Sequence, residues 1–126
     1  MDRVTEAVIG AAIEVHRVLG PGLLESVYEA CLARELEAVG LSVERQVPVP
    51  VVYKDVHIEC GFRVDLLVED LVVLELKALE HLAPVHNAQL LSYLRLSHHK
   101  VGLLINFHVK QLTTGIRRVV NDLDDN

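Results

Sequence analysis

In the stretch FRVDLLVEDLVVLELKA, residues 62 to 78, two apolar strand-like runs meet at Glu69-Asp70, and charge stands where a sheet interior should be apolar. Asp65 interrupts the first run; Glu75 and Lys77 interrupt the second. A charge inside a sheet is costly unless it is paired, hydrated or bound to metal. An aspartate followed across a hairpin by Glu-x-Lys supplies two hard oxygen ligands and a cation, the equipment for divalent-metal phosphodiester hydrolysis. Mg2+ takes octahedral oxygen coordination at about 2.0 to 2.1 Å and keeps several waters. Asp65, Glu75 and a strand carbonyl near Leu76 would hold it, with waters and a phosphate oxygen completing the shell. Such a metal lowers the pKa of a bound water and offsets transition-state charge, while Lys77 orients that water or stabilises the developing charge.

This chemistry makes a demand on the hairpin. Glu75 and Lys77, two apart in a strand, point to one face. With a two-residue Glu69-Asp70 turn, Asp65 would oppose Leu74 and lie on the other face. A three-residue loop or bulge, Glu69 to Leu71, pairs Leu66 with Leu74 and brings Asp65 opposite Glu75. The competing reading is a solvated salt-bridge ladder on an open sheet face.

Two further motifs stand beside the hairpin. Gly22-x-x-Glu25-x-x-Tyr28 advances in steps of three, which on a helix gives one stripe. Glu25 is either a third carboxylate of the site or a first-turn acid favoured by the helix dipole. On a later helix Gln89 and Tyr93 share a face at i and i+4, with His86 nearby; Gln89 either bonds a phosphate or metal-bound water or is an exposed amide. The seven histidines form no convincing metal site, and there is no His-Glu-x-x-His, Gly-Lys phosphate loop or serine elbow. Zinc and nucleoside triphosphates are not indicated.

The elements that must position these groups follow from periodicity. Val4, Val8, Ala11, Val15 and Val18 form one stripe of a helix over 3 to 19, stopped by Gly20, with Asp2 as its cap. Pro21 opens a second helix to about Val39. Residues 42 to 53 read as an outer strand, because Pro48 and Pro50 lack donors on the same edge, and Val43, Val47, Val49, Val51 and Tyr53 share a face. Strands follow over 57 to 68 and 71 to 77, then a helix from Pro84 to about Ser97 with Leu90, Leu91 and Leu94 in the core. VGLLINF, 101 to 107, is apolar on both faces, as a central strand covered on both sides would be. The tail adds one short strand or helical turn. The order α-α-β-β-β-α-β is an α/β sandwich around a mixed sheet.

At 126 residues and 14.0 kDa the chain is expected to be one domain, 1 to 126, with an aliphatic core, since 51% is hydrophobic but only 4% aromatic. No apolar run approaches the ~18 to 20 residues of a membrane span, and the amino terminus lacks a secretory pattern. Two cysteines, Cys31 and Cys60, make no disulfide framework, so free thiols in a cytoplasmic protein are expected. The net charge of -6 argues against a protein that coats nucleic acid electrostatically. Local cations remain: Arg95, His98, His99 and Lys100 in one stretch, and Lys110, Arg117 and Arg118 in another, though either cluster alone reads more readily as solvated surface.

Taken together, GLLESVY (22 to 28), RVDLLVED around Asp65, LELKA around Glu75 and Lys77, AQLLSYL around Gln89 and GLLINF (102 to 107) resemble the bacterial and archaeal GxxExxY proteins of the PD-(D/E)XK nuclease-like superfamily. The likeness runs from about Val8 to Asn121. It implies a restriction-endonuclease-like core in which Asp65, Glu75 and Lys77 fill the metal-site positions, with Glu25 the helix carboxylate and Gln89 the polar residue of the next helix. The Pro-Asp dipeptide of the superfamily is Val64-Asp65 here. The implied function is a Mg2+- or Mn2+-dependent nuclease acting on nucleic acid, DNA rather than RNA, in which Lys77, Glu25 and Gln89 are catalytic and Asp65, Glu75 and Glu25 bind metal. The alternatives are a non-catalytic nucleic-acid or protein-interaction module that keeps the fold, and a hydrolase of small phosphoesters. A homodimer through the proline-marked edge at 47 to 53 and the first helix would bring two sites to one duplex.

Overall fold

A computed structural model describes residues 2–59 and 61–122. Helix α1 (Asp2–Leu19) and helix α2 (Glu25–Ala38) precede β1 (Val43–Pro48), β2 (Val51–Tyr53), β3 (Val56–Ile58), β4 (Arg63–Val68) and β5 (Val72–Lys77). Helix α3 (Pro84–Ser97), β6 (Val101–Asn106), a 3-10 turn (Leu112–Gly115) and β7 (Ile116–Val120) complete the chain. One sheet runs β1-β4-β5-β6-β7, with β5 and β6 parallel and its other pairs antiparallel; β2 and β3 form a separate ribbon.

The expected order of helices and strands holds, with two segments interrupted. The 42 to 53 segment breaks after Pro48, and the 57 to 68 segment breaks after Ile58, so the proline-marked stretch turns away from the sheet as the β2–β3 ribbon. The tail supplies both the helical turn and the strand. Helix α2 begins at Glu25 rather than Pro21, because Gly20 (φ 71°) and Gly22 (φ 99°) hold the intervening turn in left-handed conformations. In α1 the buried stripe is Thr5, Val8, Ala12 and Val15, while the expected Val18 is 64% exposed. The arc facing the sheet is therefore one step from the expected one. Asp2 lies within the first turn of α1 rather than capping it.

Two apolar layers enclose the sheet. One packs Val8, Tyr28, Leu32, Leu36, Leu74 and Ile105 between α1, α2 and the sheet; the other packs Val73, Leu90, Leu94 and Leu104 under α3. Strand β6 is buried along its whole length, as the sequence led us to expect. At Gly102 an added Cβ would lie 2.9 Å from a Leu90 methyl, so the missing side chain is what allows α3 to seat on β6.

The β4–β5 hairpin meets the demand made of it. Its pairs are Leu66–Leu74, Leu67–Val73 and Val68–Val72, closed by the three-residue loop Glu69–Leu71. Glu69 and Asp70 both adopt positive φ there, and Glu69 Oε2 accepts a 2.6 Å hydrogen bond from Ser42 N–H, tying the loop to the start of β1.

Candidate active site

The sheet opens at Asp65. The β1–β4 register runs through Arg45–Leu66 and Val47–Val64 but skips the Gln46–Asp65 position, and the β4–β5 ladder ends at Leu66–Leu74. Gln46 sits at φ 52°, unusual for a non-glycine residue inside a strand. Val43 and Leu66 pack against the α1/α2 layer, while Val47 and Val64, which have the same parity, pack under α3. Strands β1 and β4 therefore swap faces between these residues, at Gln46 and Asp65.

Side chains fill the gap the ladder leaves. Asp65 Oδ2 accepts the Leu76 N–H at 2.8 Å, and the Asp65 N–H donates to Glu75 Oε1 at 3.2 Å. The two carboxylates are thus crossed over adjacent backbone, each fixed by the other's strand. By parity with Val73, Glu75 and Lys77 face the α3 layer. Glu75 is 8% exposed, and burial, then the charge of Asp65, pushes its carboxyl up to about 8, against a smaller lowering by Lys77. Asp65 is raised too, first by burial and then by the charges of Glu29 and Glu25, with the Leu76 and Gln46 hydrogen bonds opposing. Lys77 is half-buried at the end of β5, where its carbonyl accepts the Phe107 N–H at 2.9 Å.

The motif around Glu25 has a structural explanation. Tyr28 is fully buried and stacks on Phe107 at 4.4 Å. Its hydroxyl donates to Gly20 O at 2.6 Å and accepts the Leu23 N–H at 3.1 Å. The tyrosine thus clamps the glycine turn that launches α2, and Gly22 belongs to that turn rather than to a helical stripe. Glu25, exposed in the first turn, raises the pKa of both Asp65 and Glu75 through its charge.

One turn on, Glu29 is a participant the sequence reading overlooked. It is buried; its Oε1 accepts from Gln46 Nε2 at 2.5 Å and its Oε2 from Arg45 Nε at 3.1 Å. The same Gln46 amide reaches Asp65 Oδ1 at 3.3 Å. The i, i+4 spacing of Glu25 and Glu29 was the available signal. From α3, Tyr93 comes near the pair, its hydroxyl pKa raised by burial and then by the charges of Glu75 and Asp65. Gln89 is exposed one turn earlier on α3, and no hydrogen bond joins it to Asp65 or Glu75. His86 serves the helix: its Nδ1 accepts the Ala83 N–H at 2.9 Å.

The donor set suits a hard divalent cation. Two carboxylates crowded in a poorly hydrated gap gain most when a cation offsets their charge. Among the described residues no three His, Cys, Asp or Glu side chains are grouped to hold an ion by themselves.

A family model for the PD-(D/E)XK nuclease superfamily matches residues 2–119. The chain belongs to the PD-(D/E)XK nuclease superfamily. No curated protein and no solved structure matches it. The matched span runs from α1 into β7 and so includes the Asp65–Glu75–Lys77 hairpin and all three α-helices. Among the described residues no helix is long and apolar enough to cross a membrane.

Proposed function

We propose that this superfamily member is a Mg2+- or Mn2+-dependent nuclease that hydrolyses phosphodiester bonds, DNA foremost. The observation that carries the reading is the opening of the sheet at Asp65 and Glu75. A purely structural ladder would continue its backbone pairing there instead of crowding two carboxyl groups together. Asp65 and Glu75 would hold the cation, with Glu25 adding negative charge from the start of α2. When bound, such an ion polarises a phosphoryl oxygen and lowers the pKa of a coordinated water.

The chain's own groups have distinct tasks in this reading. The Leu76 N–H fixes one Asp65 oxygen and leaves Oδ1 for ligation, where it now meets the Gln46 amide. Glu75, its carboxyl raised to about 8, would have to be ionised to hold the cation, which would couple binding to pH. Lys77, on the same face, places positive charge where the attacking oxygen or phosphate develops negative charge. Gln89 and Tyr93 offer polar contacts to the phosphate from α3.

The GLLESVY segment supports kinship with the GxxExxY proteins, with Tyr28 as the residue that sets Glu25. A homodimer and a cytoplasmic setting belong to the same proposal. The test is hydrolysis of single-stranded, duplex and branched DNA, and of RNA, with Mg2+ or Mn2+, using Lys77→Ala and Asp65→Asn as controls. Metal-dependent cleavage lost in both variants supports the nuclease. Absence of cleavage with any substrate, together with no binding at low salt in Ca2+, would favour a protein-interaction module.

A further inference from the structure

Beside the carboxylates lies a cleft of about 690 Å³, walled by Pro48 and Pro50 on one side and the β2–β3 ribbon on the other. That volume falls in the range of small-molecule sites, about 300 to 1,000 Å³. Phe62 forms part of its lining and is 39% exposed. The ring is tilted against Tyr93 at 5.3 Å, and Tyr93 in turn lies by Glu75 and Asp65. Phe62 precedes Asp65 by three residues, so the chain holds them within about 11 Å. Arg63 brings a positive charge to the lining, with the His57 ring as a further polar group, and Glu59 offsets part of that charge. The ribbon wall is braced by a two-residue turn in which Lys54 (φ 48°) and Asp55 (φ 67°) are both left-handed, the geometry that matches strand twist.

We infer that this cleft is a stacking subsite for an unpaired nucleobase. Phe62 is its platform, and Arg63 and His57 face the flanking phosphate. This rests on the nuclease reading and narrows it to a substrate class: single-stranded, frayed or flipped nucleic acid rather than closed duplex. An acidic protein gains little long-range attraction for a polyanion, so affinity must come from contacts that do not depend on net charge. Base–aromatic stacking is such a contact, and it tolerates sequence because every base has a π-face. In a closed duplex both faces of each base are already covered, and extruding one costs a few kcal/mol. The continuity from cleft to Phe62, Tyr93 and the carboxylates places the phosphate of the stacked nucleotide beside the pair.

The test is fluorescence anisotropy of the full chain with labelled oligonucleotides in Ca2+: a single strand, its abasic counterpart and a blunt duplex. The single strand should bind more tightly than either of the others. Loss of one stacked base is worth about 1 to 3 kcal/mol, so Phe62→Ala should weaken single-strand binding about 5- to 140-fold. Phe62→Tyr should retain it, and Ile58→Asp, on the ribbon wall, should weaken it while leaving the circular dichroism spectrum unchanged. Asp65→Asn should abolish any cleavage. If cleavage is never seen but Phe62-dependent single-strand binding is, the subsite stands and the nuclease reading falls. Equal affinity for duplex and single strand would overturn the inference. So would folded Phe62→Ala and Ile58→Asp variants with affinities within twofold of the native chain. A fall from dimer to monomer in those variants at unchanged oligonucleotide affinity would assign the cleft to a second copy, overturning it as well.

Discussion

Replacing Glu75 by Gln should stabilise the metal-free protein, by an amount that grows with pH. Burial and Asp65 raise the Glu75 carboxyl from 4.5 to about 8. A carboxyl raised on folding contributes its full stability below the unfolded value, and this is lost as pH climbs through the folded value. The window is therefore pH 4.5 to 8. Each pH unit within it removes 1.36 kcal/mol, so the 3.5-unit span (8 minus 4.5) corresponds to about 5 kcal/mol, of which about 3 is already lost at pH 7. The substituted amide would be neutral throughout, and its oxygen can still accept the Asp65 N–H that Glu75 Oε1 accepts. The gap between variant and native protein should thus widen by about 4 kcal/mol from pH 5 to pH 8.5. Against a domain stability of ~5 to 15 kcal/mol, that is a large fraction.

Urea unfolding in EDTA at pH 5, 7 and 8.5 reads the gap directly. Adding Mg2+ should narrow it at pH 8.5, since a ligand that binds the folded, ionised form stabilises that form alone. A gap constant to within about 1 kcal/mol over this range, or one that shrinks as pH rises, would refute the crowded-pair account. Glu75 would then be an ordinarily solvated acid in a charge ladder.

Four further outcomes follow from the same geometry. Asp65→Asn keeps an oxygen for the Leu76 N–H, so thermal melts in EDTA should show stability equal to or above the native chain, with no shift on adding Mg2+. Tyr28→Phe retains the stack on Phe107 but strands Gly20 O and Leu23 N–H; equilibrium unfolding should show a loss of about 1 to 3 kcal/mol, with cleavage reduced as Glu25 loses its mounting. Gly102→Ala drives a methyl to 2.9 Å from Leu90, and unfolding should register a cost of about 1 to 3 kcal/mol. Light scattering at micromolar concentration should give a dimer mass; a monomer there removes the proposed pairing.

Why much of the hairpin was legible and its surroundings less so has a physical reason. Charges at Asp65, Glu75 and Lys77 break an apolar pattern, and parity alone then demanded a three-residue loop, which is what Glu69–Leu71 forms. The central position of VGLLINF was legible for the same reason: continuous apolarity needs cover on both faces. Alternation could not reveal the face swap at Gln46 and Asp65, because it assumes an unbroken strand. The backbone of Gln46 takes a positive φ where its side chain meets Glu29 and Asp65, both remote in sequence. For the same reason Val43 and Val47, placed on one face by counting, lie in different layers. Pro48 and Pro50 correctly marked an edge, yet the pattern beyond them fitted one long strand as well as a strand and a ribbon.

The residues that evaded the sequence reading share a feature: their meaning lies in pairing across layers. Glu29 looks like one more acid on a polar helix until Arg45 and Gln46 from β1 close on it. Arg45 and Gln46 engage this third carboxylate, yet its charge still reaches Asp65, as does that of Glu25, which stays exposed. To hold a cation, Asp65 Oδ1 would have to exchange the Gln46 amide for it, and Glu75 would have to be ionised. Both features hold the folded, metal-free centre together while leaving it ready to exchange weak internal contacts for ligation. Gln46, at φ 52°, would be the residue to move in that exchange, because its amide touches both Glu29 and Asp65.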